Sequence, residues 1–184
     1  ACFAQLAVRL GPRPLLDTAA LLDISVARKN SMSRLRATLP QAGYGQGDVV
    51  ATPLRMARVA AALASGGVLR EPRVEPDSSE SVQTEILLSP DAAAQLARDL
   101  RNAVLSGTGR SLKGHPWRIA GKTGTAEVTH SPSHSWFVGF APYGPAERRI
   151  AFAVIIENAG YGSLAAAPAA GEVVDAAAAT GLIR

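Results

Sequence analysis

The chain has 184 residues, of which 47% are hydrophobic and 18% charged, and its formal net charge is +4. This length and composition suit one folded domain and exclude an intrinsically disordered chain. The basic balance does not indicate a nucleic-acid-binding surface, because only 5% of the residues are aromatic and the lysines and arginines form no long run.

The start of the chain is predicted to be helical. An amphipathic helix opens at Ala1 and stops at Gly11, and two prolines enforce a break before a second helical run from Leu15 to Leu22. The first helix lacks an initiator methionine and an N-cap, so we expect the chain to be cut from a longer protein. A basic cluster among loop-forming residues is then interpreted as a solvated connection; its members are Arg28, Lys29, Arg34 and Arg36.

Two later helices carry clear start signals. Thr52-Pro53 begins an apolar helix that ends at Gly66-Gly67, because a threonine hydroxyl caps exposed N–H groups and proline suits the first helical position. Ser89-Pro90 begins a second helix in the same way, and Gly107-Thr108-Gly109 closes it. The segment between them, Val68 to Glu85, is interpreted as a surface excursion with short strand-like pieces.

From Trp117 onward the chain is predicted to form strands, with boundaries at Trp117 to Thr125, Ser135 to Ala141 and Ile150 to Glu157. Short connections make these strands antiparallel. The continuously apolar third segment predicts a central strand covered on both faces. With an alanine-rich helix from about Pro168 to Ala179 covering one face, the predicted fold class is α+β, an antiparallel sheet flanked by helices.

The segment around Lys122 fits two chemistries. Gly121-Lys122-Thr123 copies the end of the phosphate-binding motif G-x-x-x-x-G-K-[ST], but that motif needs a glycine where this chain has Pro116, and a helix beginning at the lysine. Threonine and valine after the lysine favour a strand instead. The alternative is the Lys-Thr-Gly strand of serine acyl-transfer enzymes that handle penicillin. The tripeptide alone is also compatible with an edge strand that carries a solvated lysine.

Other short segments decide between these alternatives by their order and spacing. In chain order they are Tyr44-Gly45-Gln46-Gly47, Ala51-Thr52-Pro53-Leu54, Gly107-Thr108-Gly109, Ala120 to Glu127, His134 to Pro142, Ile156-Glu157-Asn158 and Ala165 to Pro168. The set resembles the C-terminal part of the transpeptidase domain of penicillin-binding proteins. The resemblance implies that residues 1–184 are the C-terminal portion of a single transpeptidase/β-lactamase-like domain, with 1–115 mainly helical and 116–184 holding the strands and the last helix.

The resemblance also implies roles for the residues of the Lys-Thr-Gly strand. Lys122 would supply positive potential toward the substrate carboxylate, and the hydroxyls of Thr123 and Thr125 would donate hydrogen bonds to it. Gly124 would let the substrate backbone approach the strand as an added β-partner. The backbone N–H of Thr125 would be one oxyanion donor. Lys122 and Thr125 are thus the catalytic candidates, Thr123, Gly124 and Thr125 the substrate-binding candidates, and neither a metal nor a cofactor is implied.

Two elements of that chemistry do not occur in the sequence. The attacking serine belongs to a Ser-x-x-Lys element and proton relay uses a Ser-x-Asn element, and this chain contains neither. Ser25 and Ser31 are followed three places on by Arg28 and Arg34, and arginine stays protonated and cannot act as a base. We therefore expect the isolated polypeptide to have no acyl-transfer activity and to need the N-terminal remainder of its domain.

The parent protein is expected to be a penicillin-binding peptidoglycan D,D-transpeptidase. It would form an acyl-enzyme with the D-Ala-D-Ala stem peptide, bind β-lactams and lack a nucleic-acid partner. No apolar run here reaches the roughly 20 residues that span a bilayer, so an extracytoplasmic parent would be anchored by a segment outside this chain. Two alternatives stay open, a penicillin-sensing receptor domain with the same fold and a serine β-lactamase.

Overall fold

The computed structural model describes residues 2–73 and 82–184. Helices in these ranges are α1 (Cys2–Leu10), α2 (Pro12–Leu21), α3 (Met32–Ala42), α4 (Pro53–Ala64), α5 (Pro90–Leu105) and α6 (Ala166–Ala179). Strands are β1 (Val68–Arg70), β2 (Thr84–Ile86), β3 (Ala120–Val128), β4 (Ser131–Ala141) and β5 (Ile150–Ile156). Helices with antiparallel sheets confirm the predicted α+β class. The chain divides into two compact units, Ala1–Arg55 and Met56–Arg184.

The N-terminal unit packs α1, α2 and α3 against one another. Helix α1 stops before Gly11, whose φ of 78° lies outside the helical region. Helix α2 begins at Pro12, earlier than the predicted Leu15, because a proline in the first turn lacks only an N–H that would have no intrahelical acceptor. The core of this unit is small, and its buried members are Ala7, Ala19, Val26, Ala27, Leu35, Leu39 and Ala42.

The solvated connection predicted for the basic cluster is partly wrong, because Arg34 and Arg36 lie in α3. The side chain of Ser31 caps this helix by accepting a hydrogen bond from the Arg34 backbone N–H at 3.5 Å. Leu35 is fully buried, and such burial outweighs the turn-like composition of the segment. On the outer side, the Arg34 guanidinium donates to Asp48 at 2.5 Å and holds the pKa of that carboxyl below its usual value.

The two predicted helix starts are confirmed, each with its capping hydroxyl. Thr52 Oγ1 accepts from the backbone N–H of Arg55 at 3.2 Å, and α4 begins at the next proline. Ser89 Oγ accepts from the N–H of Ala92 at 3.3 Å at the start of α5. In the predicted surface excursion, β1 and β2 pair as an antiparallel hairpin, and residues 74–81 lie outside the described residues.

The main sheet has the strand order β3-β4-β5, with both neighbouring pairs antiparallel. The central position predicted for Ala151–Ile156 is wrong, because β4 is the middle strand of the described sheet. Within β5 only Phe152 is buried, and the other residues are half-buried. A continuous apolar run therefore also suits a strand at the edge, with one face on a helix and the other partly covered. The predicted start of the second strand at Ser135 is also wrong, since β4 begins at Ser131.

Helix α6 covers one face of this sheet, as predicted from its alanine-rich sequence. The rings of Phe137 and Phe152 stack with centroids 6.1 Å apart, and Ala170 and Val174 of α6 are fully buried in the same cluster. Small side chains on α6 let the helix approach the aromatic rings closely. This layer fixes β4, and through β4 it fixes the neighbouring strand β3.

The packing of Phe137 against β3 requires a glycine at position 121. A Cβ atom at this position would lie 2.5 Å from the Phe137 ring and 2.7 Å from the carbonyl oxygen of Val138. We predict that Gly121→Ala lowers the free energy of unfolding by about 1–3 kcal/mol through overpacking. Denaturant unfolding of the protein measures this, with Gly114→Ala as the control because a Cβ at Gly114 meets nothing within 4 Å. Equal stability of the two variants would contradict the packing described.

Candidate functional site

The four residues singled out in the sequence, Lys122 to Thr125, all lie in β3. Among the described strands β3 pairs only with β4, so its other edge carries no strand. Because a strand runs through Lys122, the phosphate-loop interpretation fails its requirement for a helix beginning at the lysine. Arg101 of α5 contacts the residue that precedes β3. Its guanidinium donates to the carbonyl oxygen of Ile119 at 2.7 Å. Desolvation and the neighbouring Arg118 cation lower the pKa of Arg101.

The Lys122 ammonium lies within a cluster of oxygen atoms. Its Nζ donates to the carbonyl oxygen of Thr123 at 2.8 Å, to Thr123 Oγ1 at 3.3 Å and to Thr108 Oγ1 at 3.3 Å. The two threonine hydroxyl oxygens lie 2.5 Å apart. One of their two protons is used between the oxygens, and the second can be donated to a ligand. The three side chains thus offer a cation and a hydroxyl donor, which suits a carboxylate.

Sequence reasoning assigned no role to Thr108, although it quoted Gly107-Thr108-Gly109 as part of the resemblance. The two glycines fold the chain tightly against the last turn of α5, since a Cβ at Gly107 would lie 2.8 Å from the carbonyl oxygen of Ala103. The N–H of Gly109 donates to that same oxygen at 3.0 Å. This turn brings Thr108 to Lys122, fourteen residues later, and the contact depends on α5 packing against β3.

Lys122 is exposed, yet partial desolvation lowers the pKa of its ammonium below 10.5. We predict that the Lys122 signal in an NMR titration of isotope-labelled lysine side chains moves at lower pH than lysine in the denatured protein. Because the folded pKa is the lower one, stability should rise with pH between the folded pKa and 10.5. Thr108→Val should move the Lys122 midpoint lower still, because the ammonium loses an acceptor. An unchanged midpoint in the variant would contradict the contact between Thr108 and Lys122.

The hydroxyl of Thr125 contacts a segment other than the turn that carries Thr108. Its Oγ1 accepts from the backbone N–H of Gly162, in the loop between β5 and α6, at 3.4 Å. Its partner across the β3–β4 ladder is Ser135. The structure therefore groups Lys122 and Thr123 with Thr108, and it places Thr125 next to the β5–α6 loop.

Gly124 has a packing role within the sheet. A Cβ at this position would lie 3.0 Å from the Cβ of Trp136, the residue opposite it in β4. The glycine therefore lets the Trp136 side chain lie against β3. The backbone of Gly124 is also approached by Gly162, where a Cβ atom would overlap the Gly124 carbonyl oxygen.

Within residues 2–73 and 82–184, no group of three or more histidine, cysteine, aspartate or glutamate side chains is placed to hold a metal ion. No helix in the same ranges has the length and hydropathy of a membrane span.

Residues 1–175 match the family model of the penicillin binding protein transpeptidase domain. The chain is 31% identical to the peptidoglycan D,D-transpeptidase PbpA of Mycobacterium tuberculosis, in an alignment that covers 95% of this chain and 41% of that protein. It is 33% identical to the peptidoglycan D,D-transpeptidase MrdA of Haemophilus influenzae, over 72% of this chain and 24% of that protein.

Solved structures agree with these relatives. The imipenem acyl-enzyme complex of penicillin-binding protein A from M. tuberculosis superposes with a TM-score of 0.74 and 30% identity, covering 95% of this chain and 44% of that one. The chain thus spans less than half the length of these two relatives and of this solved structure. From the family model, the identities and the shared fold, the chain belongs to the penicillin-binding protein transpeptidase domain family.

Proposed function

We propose that the complete protein is a peptidoglycan D,D-transpeptidase that cross-links stem peptides through a serine acyl-enzyme. A serine hydroxyl attacks the carbonyl carbon of the penultimate D-alanine, the terminal D-alanine leaves as its amine, and an amine of a neighbouring stem then displaces the serine. In this proposal the present chain supplies the strand that binds the substrate. The relatives named as D,D-transpeptidases support it.

One observation carries the proposal, namely the cluster of Lys122, Thr123 and Thr108 at an edge strand. A D-Ala-D-Ala peptide ends in a carboxylate, and this cluster offers a cation with a hydroxyl donor. An extended peptide can add to the unpaired edge of β3 through main-chain hydrogen bonds, with Gly124 leaving room. Thr125 would donate its hydroxyl to the same carboxylate and its backbone N–H to the oxyanion.

The nucleophile is proposed to lie outside these 184 residues. The sequence holds neither Ser-x-x-Lys nor Ser-x-Asn, and the site around Lys122 offers threonine hydroxyls without a neutral base. Both compact units are proposed to be parts of one transpeptidase domain, which the match of the family model to residues 1–175 supports. The remaining partners in this proposal are the N-terminal remainder of the domain, the stem peptide and β-lactams.

The reaction that we propose takes place outside the cytoplasm, where the peptidoglycan lies. A segment beyond this chain would hold the complete protein at the membrane. The imipenem acyl-enzyme of the mycobacterial relative supports β-lactam binding by the complete protein. We propose no cofactor, since acyl transfer from serine needs only acid–base groups and hydrogen-bond donors.

Incubation of the complete protein with fluorescent penicillin tests the proposed function. We expect a covalent adduct that survives denaturation and persists for many minutes, whereas the 184-residue polypeptide alone stays unlabelled. Absence of any adduct on the complete protein would contradict the proposal. Rapid release of hydrolysed drug would instead identify a β-lactamase, and a stable adduct on a protein unable to cross-link stem peptides would identify a penicillin-sensing receptor.

A further inference from the structure

A single buried hydroxyl ties the loop between β5 and α6 to strand β4. Ser135 is fully buried, and its Oγ donates to the carbonyl oxygen of Tyr161 at 3.1 Å. Ser135 Oγ also accepts a hydrogen bond from the backbone N–H of Ala166 at 2.9 Å. Both bonds join residues far apart in sequence, so Ser135 connects the sheet to the loop and to the first turn of α6.

Helix α6 has no capping side chain of its own. Its N-cap residue is Ala165, which makes no side-chain hydrogen bond, and the first helical residues are Ala166 and Ala167. The first N–H groups of a helix have no intrahelical acceptor. Ser135 supplies one acceptor from β4, and the carbonyl oxygen of Gly162 supplies another by accepting from Ala167 at 2.9 Å.

The loop fixed in this way lies directly against the substrate-binding strand. Gly162 follows Tyr161 in sequence, and its N–H donates to Thr125 Oγ1 at 3.4 Å. A Cβ atom at Gly162 would overlap the carbonyl oxygens of Gly124 and Trp136. The loop backbone therefore touches the backbones of β3 and β4, and a small displacement of the loop changes the position of its hydrogen bond to Thr125.

We propose that Ser135 is a positioning residue for carboxylate recognition, acting through the loop backbone at Gly162 on the hydroxyl of Thr125. This inference rests on the proposed function, in which that hydroxyl donates to the carboxylate of the stem peptide or the β-lactam. Ser135 itself touches no substrate. Its effect is confined to ligands that carry the carboxylate, because the rest of the acyl-transfer chemistry does not involve Thr125 Oγ1.

The test compares acylation of the complete protein by penicillin and by penicillin methyl ester, which lacks the negative charge. Ser135→Ala should slow acylation by penicillin about fivefold while changing acylation by the ester less than about twofold. The control is Ser89→Ala, which removes the N-cap hydroxyl of α5 at the end of that helix remote from Thr108. This control also removes a hydroxyl that accepts from the first turn of a helix. It should leave the ratio of the two acylation rates unchanged.

A double-mutant cycle with Thr125→Val separates positioning from general stability. If Ser135 acts through Thr125, Ser135→Ala should have almost no further effect in the Thr125→Val background. If Ser135→Ala fails to fold, Ser135→Cys replaces it, because a thiol nearly keeps the size of the side chain but is a weaker hydrogen-bond donor and acceptor. It should show the same selective loss with penicillin.

The outcomes distinguish this inference from the proposed function. Failure of the unsubstituted protein to react with penicillin would overturn both. Normal reaction of the unsubstituted protein, with equal slowing toward penicillin and its ester in the Ser135→Ala or Ser135→Cys variant, would overturn the positioning role alone. The positioning role would also be overturned if the full effect of Ser135→Ala persisted in the Thr125→Val background.

Discussion

Replacement of Lys122 by methionine should slow acylation of the complete protein by penicillin by about 10²–10³-fold, the usual cost of losing a preorganised electrostatic group. Methionine keeps the length and much of the volume of the lysine side chain but removes its charge. The ammonium is held by Thr108 Oγ1 and two oxygens of Thr123, so the charge has a fixed position at the edge of β3. Stopped-flow acylation with fluorescent penicillin measures the rate constant.

Two companion variants sharpen this prediction. Lys113→Met removes an exposed lysine that lies outside β3, and it should leave the acylation rate unchanged. Lys122→Arg keeps the charge but cannot reproduce a compact ammonium between these oxygens, and it should recover only part of the activity. A Lys122→Met variant as active as the Lys113→Met variant would contradict the assignment of Lys122.

Loss of the Thr125 hydroxyl is the second large effect that we expect. Thr125→Val keeps the branched shape of the side chain and should reduce acylation efficiency by about 10–100-fold, since a hydrogen bond to a charged group contributes about 1.5–3 kcal/mol. The lower efficiency should result mainly from an increase in the concentration of penicillin that gives the half-maximal rate. Thr125→Ser should retain most of the efficiency, because it keeps the hydroxyl.

Thr180→Val provides the matched control for this substitution. Thr180 donates its hydroxyl to the carbonyl oxygen of Ala176 at the end of α6, and it lies outside the site. Its loss should leave acylation efficiency unchanged. If Thr125→Val and Thr180→Val behaved alike, the hydroxyl of Thr125 would have no part in recognition.

Local sequence signals predicted the elements that depend on local chemistry. Thr52-Pro53 and Ser89-Pro90 mark helix starts because the capping hydroxyl and the proline act within one turn. The strand at Lys122 was predicted because β-favouring residues and a missing helix signal surround it. The order of short motifs then identified the family, which the match over residues 1–175 confirms.

Features that arise from packing between distant segments could not be predicted in the same way. Thr108 meets Lys122 only because α5 lies against β3, and no spacing rule links the two residues. Ser135 caps α6 from another element, so no capping signal stands next to the helix. The position of β5 at the edge of the described sheet was missed because an apolar run predicts burial and not the number of strand neighbours.

The central claim is that this chain contributes the substrate-binding strand and that the nucleophile lies elsewhere in the complete protein. Mass spectrometry of the penicillin-treated complete protein, after proteolysis, tests it most directly. We expect one penicilloyl adduct, on a serine outside the 184 residues. At short reaction times the Lys122→Met variant should lack this adduct. An adduct on a serine within the 184 residues, or no adduct at all, would contradict it.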